Sequence, residues 1–174
     1  MGDYPALNTP RLTLRAPAPR DAEAIATLAD NPDIARMTTR LPHPYTRADA
    51  EAFIARMRQC DLEREVAFVI EDAEAGPVGV LGLHPTGKLG PEIGYWIGRP
   101  YWGRGFATEA ARASLAWAKD SWGRRVVMSG HFDDNPASGR VLEKAGFLYT
   151  GEIEPRRSAA RDEAAPTRMM VWLA

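Results

Sequence analysis

Gly103 and Gly105 flank Arg104 where an alternating segment ending at Ile97 gives way to an alanine-rich run, 106–122. A helix that begins there leaves about four backbone N–H groups without partners and carries partial positive charge at its mouth. Such a mouth binds a phosphate when no bulky side chain blocks the approach. The two glycines meet that condition, and the residues around the mouth are Trp102, Gly103, Arg104, Gly105, Phe106, Ala107 and Thr108. The same spacing also serves a plain tight turn. Two other phosphate motifs fail on the letters. A P-loop needs Gly-Lys-Ser/Thr at the helix start, and here Phe106 and Ala107 follow Gly105. A dinucleotide fingerprint needs a small residue where Thr108 stands and an acid about 20 residues on, where Arg124 and Arg125 stand.

Other reactive side chains are sparse. His43, His84 and His131 are far apart with no ligand cluster beside them, so they read as loop or strand-end residues and no metal site is expected. Cys60 is the only cysteine, which excludes an internal disulfide and a multi-thiolate metal site and fits a reducing, cytoplasmic setting.

The elements that must position the glycine mouth follow from periodicity. Residues 11–15 alternate as a half-buried strand that Pro17 and Pro19 end. Asp21 is placed to cap a helix with Ala22, Ile25, Ala26 and Ala29 on one face, stopped at Asn31 and Pro32. After a loop over 37–45, Thr46 and Asp49 form a capping-box pattern ahead of the stripe Ala50, Phe53, Ile54 and Met57. Strands at 66–71, 78–84 and 91–97 are separated by turns at 75–77 and at Thr86, Gly87 and Lys88, which predicts an antiparallel meander. The helix 106–122 comes next, then a strand over 125–131. Asn135 and Pro136 supply an N-cap and a first-turn proline for a helix ended by Gly146. Strands 147–153 and 167–173 close the chain around a polar stretch, 154–166, read as an exposed, mobile loop. The strand-helix-strand run 91–131 predicts a right-handed crossover between parallel neighbours, and hence a mixed sheet.

Composition bounds the rest. The 174 residues suit one domain over 1–174 with a real core. Twenty-two basic against 23 acidic side chains give a net charge of -1, no global field for a polyanion, and so no nucleic-acid partner. No stretch approaches the ~18 apolar residues of a membrane span, and residues 1–10 lack an export signal's apolar core. Neither membrane insertion nor export is expected.

Five stretches, taken in order, resemble the GNAT superfamily of acyl-CoA N-acyltransferases, within it the ribosomal-protein N-terminal (RimJ/RimL-like) branch. They are Arg11, Leu12, Thr13, Leu14, Arg15; Leu41, Pro42, His43, Pro44, Tyr45, Thr46; Glu92, Ile93, Gly94, Tyr95, Trp96, Ile97; the run from Tyr101 through the two glycines to Ala110; and Asn135, Pro136, Ala137, Ser138 leading to Lys144, Ala145, Gly146, Phe147. The resemblance covers nearly the whole chain. It implies an α+β layered fold: one mixed, mostly antiparallel seven-stranded sheet, helices on both faces, and parallel fourth and fifth strands splayed to admit CoA. The family's loop begins with Gln or Arg three residues before the first glycine, where this chain has Pro100; Arg99 or Arg104 is left to supply the charge.

The resemblance also implies acetyl-CoA as co-substrate without a metal, a primary amine as acceptor (a protein N-terminus or a small molecule), and a homodimer. Pantetheine would pair with the backbone of Tyr95, Trp96 and Ile97, whose side chains read as strand packing. Transfer by direct attack needs a neutral amine and a donor at the carbonyl oxygen, such as an N–H near Ile97. Alternation puts Glu92 on one face with Gly94 and Trp96, as the base through a water or by orienting the ammonium, or else as an ion-paired strand residue. The tyrosine that protonates the thiolate in many relatives is replaced by Leu142, and Ser138 takes the position of the branch's serine, able to donate to sulfur or hold pantetheine, or simply to cap. Asn135 matches a pantetheine-contacting asparagine and is also a sufficient N-cap. A glutamate 19 residues after the serine in that branch is Arg157 here. These departures leave two alternatives to the enzyme: a non-catalytic acyl-CoA-binding or sensing module, and a protein-interaction subunit.

Overall fold

The computed structural model describes residues 4–86 and 89–174, so Gly87 and Lys88 of the expected turn lie outside the described residues. The strands are β1 (Leu7–Asn8), β2 (Leu12–Arg15), β3 (Val66–Asp72), β4 (Gly76–His84), β5 (Glu92–Ile97), β6 (Val126–Phe132), β7 (Leu148–Arg156) and β8 (Ala165–Leu173). The helices are α1 (Ala22–Ala29), α2 (Pro32–Ala35), α3 (Arg47–Arg58), α4 (Phe106–Asp120) and α5 (Pro136–Ala145), with 3-10 turns at Pro19–Asp21 and Arg99–Tyr101.

These elements form one eight-stranded sheet in the order β1-β2-β3-β4-β5-β6-β8-β7, one strand more than the seven expected. The extra strand is the two-residue β1, paired to β2 and too short to show alternation. All neighbours are antiparallel except β5 and β6. That parallel pair has a single registered pair, Glu92 with Met128, beside which the Met128 N–H donates to the Pro91 carbonyl at 2.8 Å. From Gly94 onward β5 turns away from β6, and the sheet opens into a gap.

Alternation builds a core on each face. Phe68, Ile70, Leu81, Leu83 and Ile93 meet Leu115 of α4 and Leu142 of α5 on one side. On the other, Val69 and Val80 meet Ile25 and Ala29 of α1 and Ala50 and Ile54 of α3. Each of the Val, Leu, Ile and Phe side chains contributes roughly 1.5–3 kcal/mol by leaving water.

Three local expectations change. Asp21 precedes α1, but its side chain does not cap the helix. It is buried, accepting two bonds of 2.8 Å from Arg15 and one of 2.8 Å from the Ala18 N–H. α2 was not foreseen, because four residues show no helical period; Asn31 caps it by accepting from the Asp33 N–H at 2.9 Å. The stretch 154–166 is less loose than its polarity suggests. Its ends belong to β7 and β8, and between them Ser158 is buried and donates to the Ala35 carbonyl at 3.2 Å, while the Ala159 N–H donates to Thr39 O at 3.1 Å.

Candidate active site

The helix mouth comes first. Gly105 is the N-cap of α4 with φ of 79°, and Gly103 has φ of 76°, both in the left-handed region that a side chain disfavours. The first bond of this turn runs from the Glu109 N–H to the Gly105 carbonyl at 3.1 Å, so the N–H groups of Phe106, Ala107 and Thr108 have no backbone partner among the described residues. A Cβ at Gly103 would meet nothing within 4 Å, so the approach is open.

The loop is braced from behind by residues that the glycine motif did not reveal. Arg11 donates to the Arg104 carbonyl at 2.9 Å and to Glu109 at 2.7 Å, and Thr9 donates to Glu109 at 2.7 Å. Burial works against the Glu109 charge, but these hydrogen bonds outweigh it and hold the carboxyl below its ordinary value. In front, the Trp102 indole N–H donates to the Ile97 carbonyl at 2.6 Å. The arginines expected to supply charge lie over aromatic rings instead: Arg99 over Trp102 at 4.3 Å and Arg104 over Tyr101 at 5.5 Å.

A cavity of about 430 Å³ runs from this mouth along the gap between β5 and α5. Trp102, Gly103, Gly105, Phe106, Ala107 and Thr108 line it; Arg104 does not. Tyr95, Trp96, Ile97, Asn135 and Ser138 line it too, as do Arg140 and Lys144, which sequence reasoning missed. Their signal was present: Ala137, Arg140, Val141 and Lys144 recur at helical spacing on one face. The backbone of β5 divides by alternation. The Ile93 carbonyl accepts from Ser129 on the β6 side at 3.2 Å, and Ile97 O faces Trp102, so Tyr95 shares their direction into the gap. Trp96 directs its carbonyl toward β4, only 2.2 Å from where a Gly79 Cβ would stand.

At the start of α5, Asn135 caps by accepting from the Ser138 N–H at 3.2 Å. The Ser138 hydroxyl lies 3.0 Å from the Tyr95 hydroxyl, which also donates to the Ser138 carbonyl at 3.2 Å. Burial pushes the Tyr95 phenol well above its ordinary value, more than the Ser138 hydrogen bond draws it down, so it remains a donor. The side chain read as strand packing is thus also a polar partner of Ser138.

A second cavity, about 640 Å³, lies beyond, on the α1 and α3 side. It shares Met37, Thr38, Tyr95, Trp96 and Ser138 with the first, so the two meet there. Its walls are Ile25, Leu41, Tyr45, Phe53, Val80 and Phe132, with Arg40, Asp49, Arg56, Glu65, His84, Glu92 and Arg156 as ionisable members. Residues 37–42 and Tyr45 of the loop after α2 line it, as does His84 at the end of β4; Arg156 comes from the end of β7, and Asp49, Phe53 and Arg56 from α3. Glu92 accepts from Arg156 at 2.6 Å, and Arg156 also bonds Glu154 at 3.3 Å. Burial opposes the Arg156 charge, but these carboxylates outweigh it and keep the guanidinium protonated.

Comparison with known proteins supplies the family context. A family profile described as "Acetyltransferase (GNAT) domain" matches residues 11–148. The uncharacterized N-acetyltransferase YoaA of Bacillus subtilis is 30% identical over 154 residues, covering 86% of each chain. Among solved structures, RimJ of Mycobacterium smegmatis, in complex with CoA-disulfide, is 21% identical with a TM-score of 0.82, covering 98% of this chain and 87% of that one. Spermidine N-acetyltransferase of Vibrio cholerae, in complex with CoA and spermine, is 22% identical with a TM-score of 0.78, covering 95% and 96%.

Proposed function

The chain belongs to the GNAT acetyltransferase family and is an acetyl-CoA-dependent acetyltransferase, and we propose that it acetylates a primary amine, of a protein N-terminus or a small molecule, bound in the larger cavity. One observation carries this reading: a cleft headed by free helix-mouth amides opens, at Tyr95, Trp96 and Ser138, into a pocket of charged and aromatic side chains.

Acetyl-CoA brings its acyl group as a thioester, whose carbonyl carbon accepts a nitrogen nucleophile. The amides of Phe106, Ala107 and Thr108 hold the diphosphate, with charge from Arg140 and Lys144 rather than from the loop arginines. The edge of β5 at Tyr95 and Ile97 pairs with pantetheine, and the Asn135 side chain, whose oxygen caps α5, borders the same arm. When the single Tyr95 O–H turns from the Ser138 carbonyl to the Ser138 hydroxyl, the serine O–H is free to donate to sulfur as the carbon–sulfur bond breaks. Glu92, committed to Arg156, orients the incoming ammonium and its water.

Asn135 and Ser138 support a place beside the ribosomal-protein N-terminal acetyltransferases, while the exposed Arg157 stands where that branch carries its glutamate. The cavity's charges narrow the acceptor further. Its described carboxylates are all engaged: Asp49 with Thr46, Glu65 with Arg56, and Glu92 with Arg156. Of these described carboxylates only Asp49 has no cationic partner, so at most one of spermidine's two further ammonium groups is matched. With acetyl-CoA supplied, peptides with free N-termini and simple monoamines are expected to drive CoA release. Spermidine is expected to lag by about tenfold or more in kcat/KM, some 1.4 kcal/mol. A thiol-release assay across these acceptors tests both statements. CoA release that no amine accelerates overturns the proposal, and preference for spermidine overturns the narrowing against polyamines.

A further inference from the structure

An amine is an ammonium ion near neutral pH, so acetyl transfer needs a group that takes its proton, and Glu92 is occupied by Arg156. We propose that His84 accepts this proton, directly or through one water; the inference rests on the larger cavity being the acceptor site.

The placement comes from the sheet. β4 and β5 pair His84 directly with Glu92, Gly82 with Gly94 and Val80 with Trp96, so these side chains share one face. That face forms the cavity wall, and His84 lines it half-buried. Gly94 leaves the neighbouring position bare: a Cβ there would lie 3.7 Å from His84 Cε1, and a longer side chain would fill the space in front of the ring.

The three histidines then separate by their bonding. His131 has Nδ1 at 2.9 Å from the Phe132 carbonyl and Nε2 at 3.0 Å from the Tyr149 hydroxyl, so both nitrogens are used. His43 lies 3.1 Å from Asp30 and does not line the cavity. Among the described residues, none makes a hydrogen bond to the His84 ring, which is free to meet an acceptor or its water. The surrounding charge comes from four elements. Burial, then Arg40 from the loop after α2, lowers the imidazole's affinity for a proton; Glu92 of β5 and Glu65 before β3 oppose this, and Arg156 of β7 adds to it. The ring is therefore neutral at neutral pH, and its basic form persists into mildly acidic solution.

The proton balance is complete. One ammonium proton moves to His84 and leaves to solvent through the open cavity; the nitrogen bonds the acetyl carbon as the carbon–sulfur pair moves to sulfur; the second nitrogen proton ends on the CoA thiol. The test uses the full chain with acetyl-CoA and the N-terminal peptide or monoamine that the wild type acetylates fastest. His84→Gln is expected to lower kcat/KM about 10²-fold or more at pH 7, leave acetyl-CoA affinity by calorimetry within about twofold, and abolish the acidic limb of the pH profile. Glu92→Gln lowers the rate but keeps that limb. His84→Ala is expected to regain rate in proportion to added imidazole, a response that a structural role does not produce. A His84→Gln enzyme with wild-type rate and an intact limb overturns the inference, as does His84→Ala without imidazole rescue. A wild type inert toward every amine removes the underlying acceptor reading, and this inference with it.

Discussion

At the scale of single residues, Gly105 has two roles that one substitution can separate. Its φ of 79° caps α4 without a side chain, and a Cβ there would stand 3.5 Å from the Arg11 guanidinium that braces the loop. Gly105→Leu therefore meets backbone strain of about 1–2 kcal/mol and also crowds the Arg11 brace that shapes the mouth. Gly105→Asn accepts the left-handed conformation more readily while still adding bulk. Both variants are expected to lose at least tenfold in acetyl-CoA affinity by calorimetry, with Gly105→Leu alone losing several degrees in Tm; unchanged affinity in both counts against the assigned loop. The place of the glycine pair at the head of α4 was legible because it follows from the change of period at residue 106. His84 was passed over for the opposite reason. Arg40 and Arg156 are remote in the chain, and Glu92, though only eight residues on, is placed opposite His84 by the β4–β5 register.

Between elements, the cluster Arg15, Asp21 and Glu71 ties β2 and β3 to the start of α1. Asp21 is 2% exposed. Burial opposes its ionisation, yet the Arg15 bonds and the Ala18 N–H win and hold the carboxyl below its ordinary range. A folded value below the unfolded one, near ~3.9, gives stability that is fully present above about pH 4 and lost as acid titrates through the lowered folded value. Asp21→Asn removes the charge but not the shape. Thermal melts are expected to show a loss of about 3 kcal/mol at pH 7 and a shallower decline below about pH 4; an unaltered acid profile would show that another carboxyl governs it. The sequence had cast Asp21 as a cap, since a lone acid before a helical stripe reads that way until Arg15 is seen to turn back on it. The caps that were legible, Thr46 with Asp49 and Asn135 ahead of Pro136, are local in sequence and so are their partners. The insertion of β8 between β6 and β7 is a pairing choice that no local pattern encodes.

Taken as a whole, the molecule is a continuous sheet with an interruption where its chemistry is proposed to occur. β1 to β5 form one antiparallel group and β6, β8 and β7 another, and between them only the pair Glu92 and Met128 is in register. Such an arrangement behaves as two plates sharing one rung, and a pantetheine arm laid along Tyr95 and Ile97 would act as the missing rungs. Acetyl-CoA at about a hundred times its Kd is expected to raise the unfolding free energy by about 2.7 kcal/mol. Amide hydrogen exchange should slow most at Tyr95 and Ile97, and slowing spread evenly over the sheet would contradict this. The co-substrate would then also be a structural member: an empty enzyme breathes along the seam, a loaded one is stiff, and the wall that Tyr95 and Trp96 present to the amine takes its final shape only after the thioester has been seated.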